Sequence, residues 1–309
     1  MNDTVNTDKY AIVTGASSGI GYAIAKRLCQ EKYTVYGIGR SFDPADIPGF
    51  HKVVFDMLQT ELFIDKIDEI IDREERSLEI LVNAAGVGYY GFHQDLSARQ
   101  IQTMVRTNLE IPMILAGKLL PILRKNNGAI VNISSVTAFG HNPHGCAYGA
   151  TKAGLSSFSS SIFDENRKHG LRVITVHPDM TKTSLYRNAD FDVEDQDGCY
   201  LLPEDVADPI ITALQTDHIG EMTITLRPQF HRIHKKDKSI KESSDEIYKL
   251  FSCTEAMKQI LHQSLYYFSL IGIDYESEIE RMKERGELPC RNKKEGMERI
   301  EQLKRKLII

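Results

Sequence analysis

One glycine-rich turn constrains the fold of this chain more than any other feature of its sequence. Residues 14–21 read TGASSGIG, after the apolar run Tyr10–Val13 and before the apolar-periodic segment Tyr22–Cys29. Glycine allows a tight turn and lets a phosphate approach without meeting a Cβ atom. The helix that follows would direct free N–H groups and the positive end of its dipole toward that phosphate. The pattern predicts a dinucleotide-binding turn formed by Gly15, Ser17, Ser18, Gly19, Ile20 and Gly21.

Short apolar runs alternate with helical patterns up to residue 228. Apolar strands that alternate with helices are typical of a parallel sheet with both faces covered. We therefore expect an α/β protein with a Rossmann-type, doubly wound parallel sheet over residues 1–234. The expected strands are Tyr10–Thr14, Thr34–Gly39, His51–Phe55, Ile80–Asn83, Ala129–Ser134, Arg172–His177 and Met222–Leu226. Two prolines in Ser41–Gly49 predict a loop or a single turn there.

The composition indicates which classes of partner the protein can bind and in which cellular compartment it resides. The 309 residues carry a formal net charge of −5, without the basic excess that neutralises nucleic-acid phosphates. The five cysteines are scattered and lack a Cys-x-x-Cys pair, which is typical of reduced thiols in a cytoplasmic protein. Residues 1–8 are polar, so we expect no signal peptide. Pro112, Lys118 and Pro121 interrupt the apolar stretch Leu109–Leu123, so we expect no membrane span.

The residues after the second strand favour NADP over NAD. A fold that binds NAD usually places a carboxylate about 20 residues past the glycines to hold the ribose hydroxyls. Arg40 and Ser41 occupy that place, and the first carboxylate after them is Asp43. A carboxylate would repel a 2′-phosphate, whereas an arginine can bind it with several donors. A solvated loop arginine is the other interpretation.

Four further residues form a pattern together with the glycine turn. Ser135 follows an expected strand, and Tyr148 and Lys152 lie at i and i+4 on one face of a later helix. Asn108 interrupts Ser97–Asn126, which otherwise has the pattern of two successive helices, and asparagine disfavours a helix interior. Together with the TGxxxGxG turn, these residues resemble the short-chain dehydrogenase/reductase family over residues 9–228.

This resemblance implies roles for individual residues. It implies that Asn108 holds a water in a proton relay, that Ser135 bonds the substrate oxygen and that Tyr148 exchanges the proton. Lys152 and an oxidised nicotinamide would lower the pKa of Tyr148, and Lys152 would hold the ribose. The implied cofactor contacts beyond the glycine turn are Arg40, Ser41, Asp56, Met57, Asn83, Ala84, Gly86, Tyr148, Lys152, Pro178, Thr181 and Thr183. Asp179 replaces the family's usual glycine, and aspartate tolerates a positive φ less well than glycine does.

The implied reaction is reversible hydride transfer between NADP(H) and a carbonyl or secondary alcohol. The expected pocket walls are Val87–Tyr90, Val136–His144 and Ser184–Leu202, and we call the last segment the lid. Five lid acids predict either an acidic rim that disfavours anionic substrates or a solvated loop: Asp190, Asp192, Glu194, Asp195 and Asp197. A hydroxysteroid, a 3-oxoacyl thioester and a small ketone all remain candidate substrates.

Residues 235–309 form an extension past the usual end of the family. Apolar residues at helical spacing predict helices there: Met257, Ile260, Leu261, Leu265, Phe268, Met297, Ile300, Leu303 and Leu307. Gly272 and residues 286–289 are helix stop signals. The extension is either a helical cap or an arm that binds a partner or changes the oligomeric state. His231 and His234 have no third ligand nearby, so we expect no metal.

The expected assembly is a homodimer. The family resemblance implies pairing through two long helices, Asn108–Asn126 and Ala147–His169, and the extension would block a second, tetrameric interface. Small residues expected on the surface of the second helix would permit close approach: Ala150, Ala153, Gly154, Ser156, Ser157, Ser159, Ser160 and Ser161. The competing interpretation is a cofactor-binding regulatory or scaffold protein with vestigial activity that acts through the extension.

Overall fold

The chain forms two compact units, Met1–Lys235 and Lys236–Ile309. The structure is a computed structural model that describes residues 9–42, 46–74, 78–235, 246–270 and 273–307. Asp43 and Gly272, which carried sequence-based expectations, lie outside the described residues.

The first unit is built around one parallel sheet. The strands of this unit are β1 (Tyr10–Thr14), β2 (Thr34–Gly39), β3 (Phe50–Val54), β4 (Leu78–Asn83), β5 (Ala129–Ile133), β6 (Arg172–Pro178), β7 (Phe191–Val193), β8 (Glu221–Leu226) and β9 (Ile233–Lys235), and all but β7 and β9 belong to this sheet. Within the described residues the sheet has the order β3-β2-β1-β4-β5-β6-β8, and each neighbouring pair is parallel. The predicted doubly wound sheet and its strands are confirmed, with small differences at the strand ends.

Helices cover both faces of this sheet. They are α1 (Gly19–Gln30), α2 (Thr60–Glu74), α3 (Ala98–Val105), α4 (Ile111–Lys125), α5 (Cys146–Asn166) and α6 (Pro203–Leu214). Ala11 and Val13 of β1 pack in the layer of α1 and α6, whereas Ile12 packs in the layer of α2, α4 and α5. Alternate strand residues therefore enter opposite layers, as the period of two requires. Among the described residues, no helix is both long and apolar enough to cross a membrane.

The predicted interruption at Asn108 is a π-helical turn, Arg106–Glu110, between α3 and α4. α3 begins with a capping box, in which the Ser97 and Gln100 side chains each bond the other's backbone N–H. Asn108 is fully buried in the turn. The prediction of two successive helices is confirmed, and their junction lies where an asparagine amide competes with the helical backbone.

A row of polar side chains, the polar row, crosses the sheet near the carboxyl ends of its strands. Thr14 pairs in register with Asn83, Asn83 with Asn132, and Asn132 with Thr175, and all four are buried. Asn83 Nδ2 donates to Asn132 Oδ1 at 2.8 Å, and Asn132 Nδ2 donates to Ser159 Oγ at 2.8 Å. The prediction that Ser159 lies on the surface of α5 is therefore wrong, because its hydroxyl anchors the helix to the sheet.

The lid is paired with the last strand of the first unit. β7 and β9 are antiparallel, with Phe191 opposite Lys235 and Val193 opposite Ile233. Because of this pairing Lys235 belongs to the first unit, one residue past the boundary expected from the sequence. Strands of three residues offer too few positions for an alternating pattern, so the pair has no periodic signal.

The second unit is helical, as its apolar spacing predicts. Its helices are α7 (Glu255–Leu270), α8 (Tyr275–Glu284) and α9 (Lys293–Leu307), and they share an apolar cluster that includes Phe251, Leu261 and Leu303. α8 ends before Gly286, whose φ of +69° is the left-handed geometry that terminates helices. Met297 was expected on the apolar face of α9, but it is 38% exposed.

Candidate active site

A cleft of about 960 Å³ opens along the carboxyl edge of the sheet in the first unit. Ligands of doubly wound sheets bind at this edge, where loops from neighbouring strands diverge. The loops after β1, β2, β3, β4, β5 and β6 line the cleft together with the lid. Of the predicted site residues, those that line it are Gly15, Ser17, Ser18, Gly19, Ile20, Gly21, Arg40, Asp56, Met57, Ala84, Gly86, Ser135, Tyr148, Lys152, Pro178, Thr181 and Thr183.

Three predicted site residues lie beside the cleft without lining it: Ser41, Asn83 and Asn108. Ser41 is exposed next to Arg40, and Asn83 belongs to the polar row. The Asn108 side chain accepts from the Val87 N–H at 2.9 Å and donates to the Val87 carbonyl at 2.9 Å and to Thr151 Oγ1 at 3.1 Å. Its amide therefore fastens the loop after β4 to α5.

The glycine turn has the close packing that a phosphate cradle requires. Gly15 has a φ of +68°, and a Cβ atom there would lie 2.7 Å from the backbone of Ala85. A Cβ at Gly21 would collide with the carbonyl oxygen of Gly15. The Ser18 side chain makes no capping bond to α1, and the first turn of α1 contains no acidic residue. The N-terminus of α1 is thus free to hold an anion, which fits a dinucleotide pyrophosphate.

Thr14 contributes to the site, although the sequence analysis assigned it no role. Its Oγ1 accepts from the N–H groups of Ala84 and Ala85, both at 3.2 Å, and donates to the Val82 carbonyl at 3.3 Å. These bonds join the glycine turn to the turn after β4. A threonine at the last position of a strand, directly before a glycine, is the signal that could have found it.

One end of the cleft is basic. Arg40 follows β2, is exposed, and has no polar partner among the described residues. Arg187 of the lid lies near it, and burial followed by the charge of Arg40 lowers the pKa of Arg187. Asp56 lines the same end, where its carboxylate accepts from the Leu58 N–H at 3.1 Å. Two neighbouring guanidinium groups suit an anion better than a neutral ribose.

Tyr148 and Lys152 share one buried face of α5. Their exposed fractions are 4% and 3%, and Lys152 Nζ lies 5.7 Å from the centre of the Tyr148 ring. Lys152 Nζ donates to the carbonyl of Ile133, the last residue of β5, at 2.8 Å. Burial lowers the pKa of Lys152 to about 8. The lysine is therefore held at the end of a strand beside the phenol.

Ser135, in the loop after β5, is buried and lines the cleft together with Tyr148. Ser135 Oγ accepts from the Thr137 N–H at 3.2 Å, which leaves its own O–H free to donate. Burial raises the pKa of Tyr148 to about 12, although hydrogen bonds with Ser135 and Tyr90 lower it. The protein's own groups therefore leave the pKa of Tyr148 above its usual value. The Tyr148 phenol is neutral at neutral pH.

The loop after β6 closes the cleft without a glycine. Asp179 does not have a positive φ. Its carboxylate accepts from the Met180 N–H at 2.9 Å. Thr181 Oγ1 donates to the Asp179 carbonyl at 2.9 Å. The methyl group of Thr183 lies 3.1 Å from where a Cβ of Gly19 would be, which places Thr183 beside the glycine turn. An aspartate fits here because the loop keeps a negative φ.

The lid does not form an acidic rim. Of its five acids only Asp190 lines the cleft, and Asp195 pairs with Lys182 at 2.6 Å on the surface. Among the residues that the sequence analysis did not assign to the pocket, three basic ones line it: Arg227, His231 and Lys235. Lys235 reaches the cleft through the pairing of β9 with β7, which has no local sequence signal, whereas Arg227 directly follows β8. Within the described ranges, no three potential ligand side chains cluster to hold a metal ion.

Comparisons with known proteins agree with this geometry. The model of the short chain dehydrogenase family matches residues 9–193. An uncharacterized oxidoreductase of Staphylococcus epidermidis is 30% identical over 230 residues, which cover 72% of this chain and 97% of that protein. A short-chain dehydrogenase from Streptomyces avermitilis has a TM-score of 0.63 at 27% identity, covering 71% of this chain and 88% of that chain. A metagenomic short-chain oxidoreductase in complex with NADP has a TM-score of 0.58 at 26% identity, covering 72% and 98%. This chain therefore belongs to the short-chain dehydrogenase family of NAD(P)-dependent oxidoreductases, which act on CH–OH groups.

Proposed function

We propose that this enzyme uses NADP(H) to interconvert a ketone and a secondary alcohol, with Tyr148 as the group that exchanges the proton. The observation that carries the proposal is the buried pair of Tyr148 and Lys152 on α5, with Ser135 lining the same cleft. NADP(H), when bound, supplies or accepts the hydride. The glycine turn, Gly86 and Thr183 would hold it, together with Arg40 at one end of the cleft.

Each side chain of this set has one task. Ser135 donates to the substrate oxygen, since its Oγ accepts from the Thr137 N–H and its O–H stays free to donate. Tyr148 gives a proton to the alkoxide that forms in reduction and takes one from the alcohol in oxidation. Lys152, held by the Ile133 carbonyl, favours the phenolate by its charge. We assign Asn108 a positioning task in place of water binding by its amide, because that amide is bonded to Val87 and Thr151.

The preference for NADP rests on Arg40. Its guanidinium has no partner among the described residues and can bind a 2′-phosphate, and a 26% identical relative forms a complex with NADP. The test compares kcat/KM with NADP and with NAD in the wild type, in Arg40→Leu and in the exposed control Arg99→Leu. A lost charge-assisted bond of about 1.5–3 kcal/mol predicts a fall of about tenfold or more for NADP in Arg40→Leu alone. Equal efficiency of the wild type with NAD would contradict the preference.

A carboxylate introduced at Gly39 is not a useful test of this preference. A Cβ atom at Gly39 would lie 2.8 Å from Ser17 Cβ and 3.2 Å from the ring of Phe42. Such a variant would disturb the glycine turn itself. Arg40→Leu removes the charge without this collision.

A wall of the cleft with three basic residues, Arg227, His231 and Lys235, supports an anionic substrate. Lys235 is the cross-strand neighbour of Phe191, whose ring lies 5.2 Å from that of Tyr90, next to Tyr148. Arg227 and His231 line the same cleft, and none of these basic groups has a polar partner among the described residues. Of the remaining candidates, a ketone that carries a carboxylate or phosphate suits this wall better than a steroid.

A matched pair of substrates tests the charge preference. We expect a 3-oxo carboxylate to have a lower KM than its methyl ester in the wild type, and Lys235→Ala to reduce the difference. Lys182→Ala is the control, because Lys182 lies outside the cleft and pairs with Asp195. An equal effect of the two variants, or a preference for the ester, would contradict an anionic substrate.

We further propose a cytoplasmic homodimer that pairs through α4 and α5. The free cysteines support the location, and exposed small residues of α5 such as Ala150, Ser157 and Ser160 support close helix approach. Light scattering on the full chain and on a version that ends at Lys235 tests the dimer. A cut after Arg232 would be unsuitable, because it removes β9 from the lid.

The competing function, a cofactor-binding scaffold, predicts tight NADPH binding without turnover of any substrate in a broad panel of ketones and secondary alcohols. The burial of Lys152 argues against it, because an unpaired buried lysine costs stability without a catalytic return.

A further inference from the structure

Two side chains of the π-helical turn hold two different loops of the cleft. Asn108 bonds the backbone of Val87, in the loop after β4. Arg106 reaches the loop after β3, where its Nη2 donates to the Leu58 carbonyl at 2.6 Å and to Thr60 Oγ1 at 2.9 Å. Side chains at i and i+2 of a helix do not share a face, so one turn can serve both loops. The proposed function uses the first of these contacts and leaves the second without a role.

We propose that Arg106 is a positioning residue that holds the Asp56 carboxylate where it accepts from the adenine amino group of the cofactor. This inference rests on the proposed function, because it concerns how the adenine half of the cofactor is held. Asp56 lines the same end of the cleft as Arg40, the proposed partner of the 2′-phosphate. The adenosine ribose carries that phosphate, so the adenine lies at this end as well. A carboxylate accepts hydrogen bonds, and the adenine amino group donates them.

The backbone of Leu58 links Arg106 to Asp56. Its N–H donates to Asp56 Oδ1 at 3.1 Å, and its carbonyl accepts from Arg106. The Asp56 carbonyl accepts from the Gln59 N–H at 3.0 Å, so the loop closes on itself as a turn. One carboxylate oxygen therefore anchors Asp56 to this turn, and the other is available to a ligand. Arg106 fixes the turn from outside and so fixes the direction of that second oxygen.

The Arg106 guanidinium is itself held in place. Its Nε lies 3.7 Å from Glu110 Oε1, one helical turn later. Thr60, which accepts its second bond, is the first residue of α2. A guanidinium donates from a rigid planar fork, whereas a lysine donates from one point on a flexible chain. An arginine is therefore suited to hold the Leu58 carbonyl and the start of α2 together.

A cofactor that lacks the adenine amino group tests this role. Reduced nicotinamide hypoxanthine dinucleotide has a carbonyl in place of that group and is otherwise NADH. Fluorescence titration gives the Kd of both dinucleotides in the wild type, in Arg106→Met and in the exposed control Arg99→Met. In the wild type and the control we expect NADH to bind about tenfold more tightly, the size of one hydrogen bond to a charged group. In Arg106→Met, NADH should lose this advantage, and the Kd of the hypoxanthine form should stay unchanged.

The outcomes separate positioning from a structural role. An equal loss for both dinucleotides in Arg106→Met would make Arg106 a structural tie, and an unchanged NADH advantage would leave it without a role; either result overturns the proposal. Arg106→Lys should keep part of the advantage, and it is the test variant if Arg106→Met does not fold, where a full advantage would contradict the proposal.

Arg40→Leu separates this inference from the proposed function. It should weaken the binding of NADPH and leave that of NADH unchanged, because NADH lacks the 2′-phosphate. If it weakens neither, the proposed use of NADP fails, and the comparison of NADH with the hypoxanthine form still decides the role of Arg106.

Discussion

The two units of this chain bury polar groups in different ways. The core of the first unit contains the polar row and site side chains such as Asn108, Ser135 and Lys152. Among the described residues of the second unit, the buried polar side chain is Glu278, and the rest of its core is apolar. Burying a polar group costs free energy unless all its bonds are made. Polar burial at the carboxyl edge of the sheet therefore lowers the folding stability of the first unit, and the second unit has less of this burial.

Lys152 and Glu278 make this difference concrete. Burial lowers the pKa of Lys152 to about 8, and no carboxylate bonds it among the described residues. The Glu278 carboxylate is bonded by Lys306, Arg285 and Arg281, and these bonds lower its pKa. A buried charge with three partners belongs to a packed helical unit, whereas a buried cation beside a phenol belongs to a catalytic site.

The largest expected effect is the loss of turnover in Tyr148→Phe. The variant removes one hydroxyl, and general acid catalysis contributes about 10²–10⁴-fold, so kcat should fall by at least that lower bound. NADPH affinity should stay nearly unchanged, because the glycine turn, Lys152 and Arg40 remain. Steady-state kinetics and NADPH fluorescence titration measure the two effects. More than a tenth of the wild-type rate would contradict the role of Tyr148.

A substitution that creates a cavity in the core of the second unit should lower its stability and leave turnover unchanged. Phe251 is fully buried, and Phe251→Ala should lower the free energy of unfolding of the second unit by about 3–5 kcal/mol. Hydrogen exchange resolved by segment measures the loss, with the 54% exposed Tyr267 as control in Tyr267→Ala. We expect kcat to be unchanged, because the catalytic groups lie in the first unit. A parallel loss of kcat would show that the second unit supports the chemistry.

Lys152→Met should inactivate the enzyme and yet stabilise the first unit at pH 7. Its pKa falls from 10.5 to about 8 on folding, so its charge costs about 3 kcal/mol at neutral pH. The lost bond to the Ile133 carbonyl offsets about 1–2 kcal/mol of this gain. Urea denaturation measures the net increase, and Lys26→Met at an exposed site of α1 is the control.

The pH dependence of this effect has a definite sign. The folded state binds the Lys152 proton less tightly than the unfolded state does, so the wild type gains stability as the pH rises from about 8 to 10.5. The advantage of Lys152→Met should therefore shrink over this range. An advantage that does not change with pH would contradict the buried charge.

The smallest expected effect is that of Glu278→Gln. The partners of Glu278 are partly exposed, and pairs of this kind contribute about 0–1 kcal/mol. The variant should unfold at nearly the urea concentration of the wild type, with unchanged kcat. A loss of several kcal/mol would mean that the second unit depends on a buried charge as the first unit does.

Local sequence determined most of the fold and the catalytic set. The sheet strands and the helices follow from patterns that lie within one element, such as Tyr10–Thr14 or Leu261 with Leu265, because side-chain periodicity reports burial directly. The glycine turn and the i, i+4 pair of Tyr148 and Lys152 are also local, so they are legible without tertiary contacts.

Only the tertiary structure decided which side chains meet across elements. Ser159 is buried and not exposed because Asn132 of another element bonds it. Lys235 enters the cleft because β9 pairs with β7, and the Tyr90 ring contacts the rings of Tyr148, Tyr186 and Phe191 from three other segments. Such contacts join residues tens of positions apart, and their free energy depends on the surfaces that folding brings together. The raised pKa of Tyr148 has the same origin, since burial by several elements desolvates the phenol.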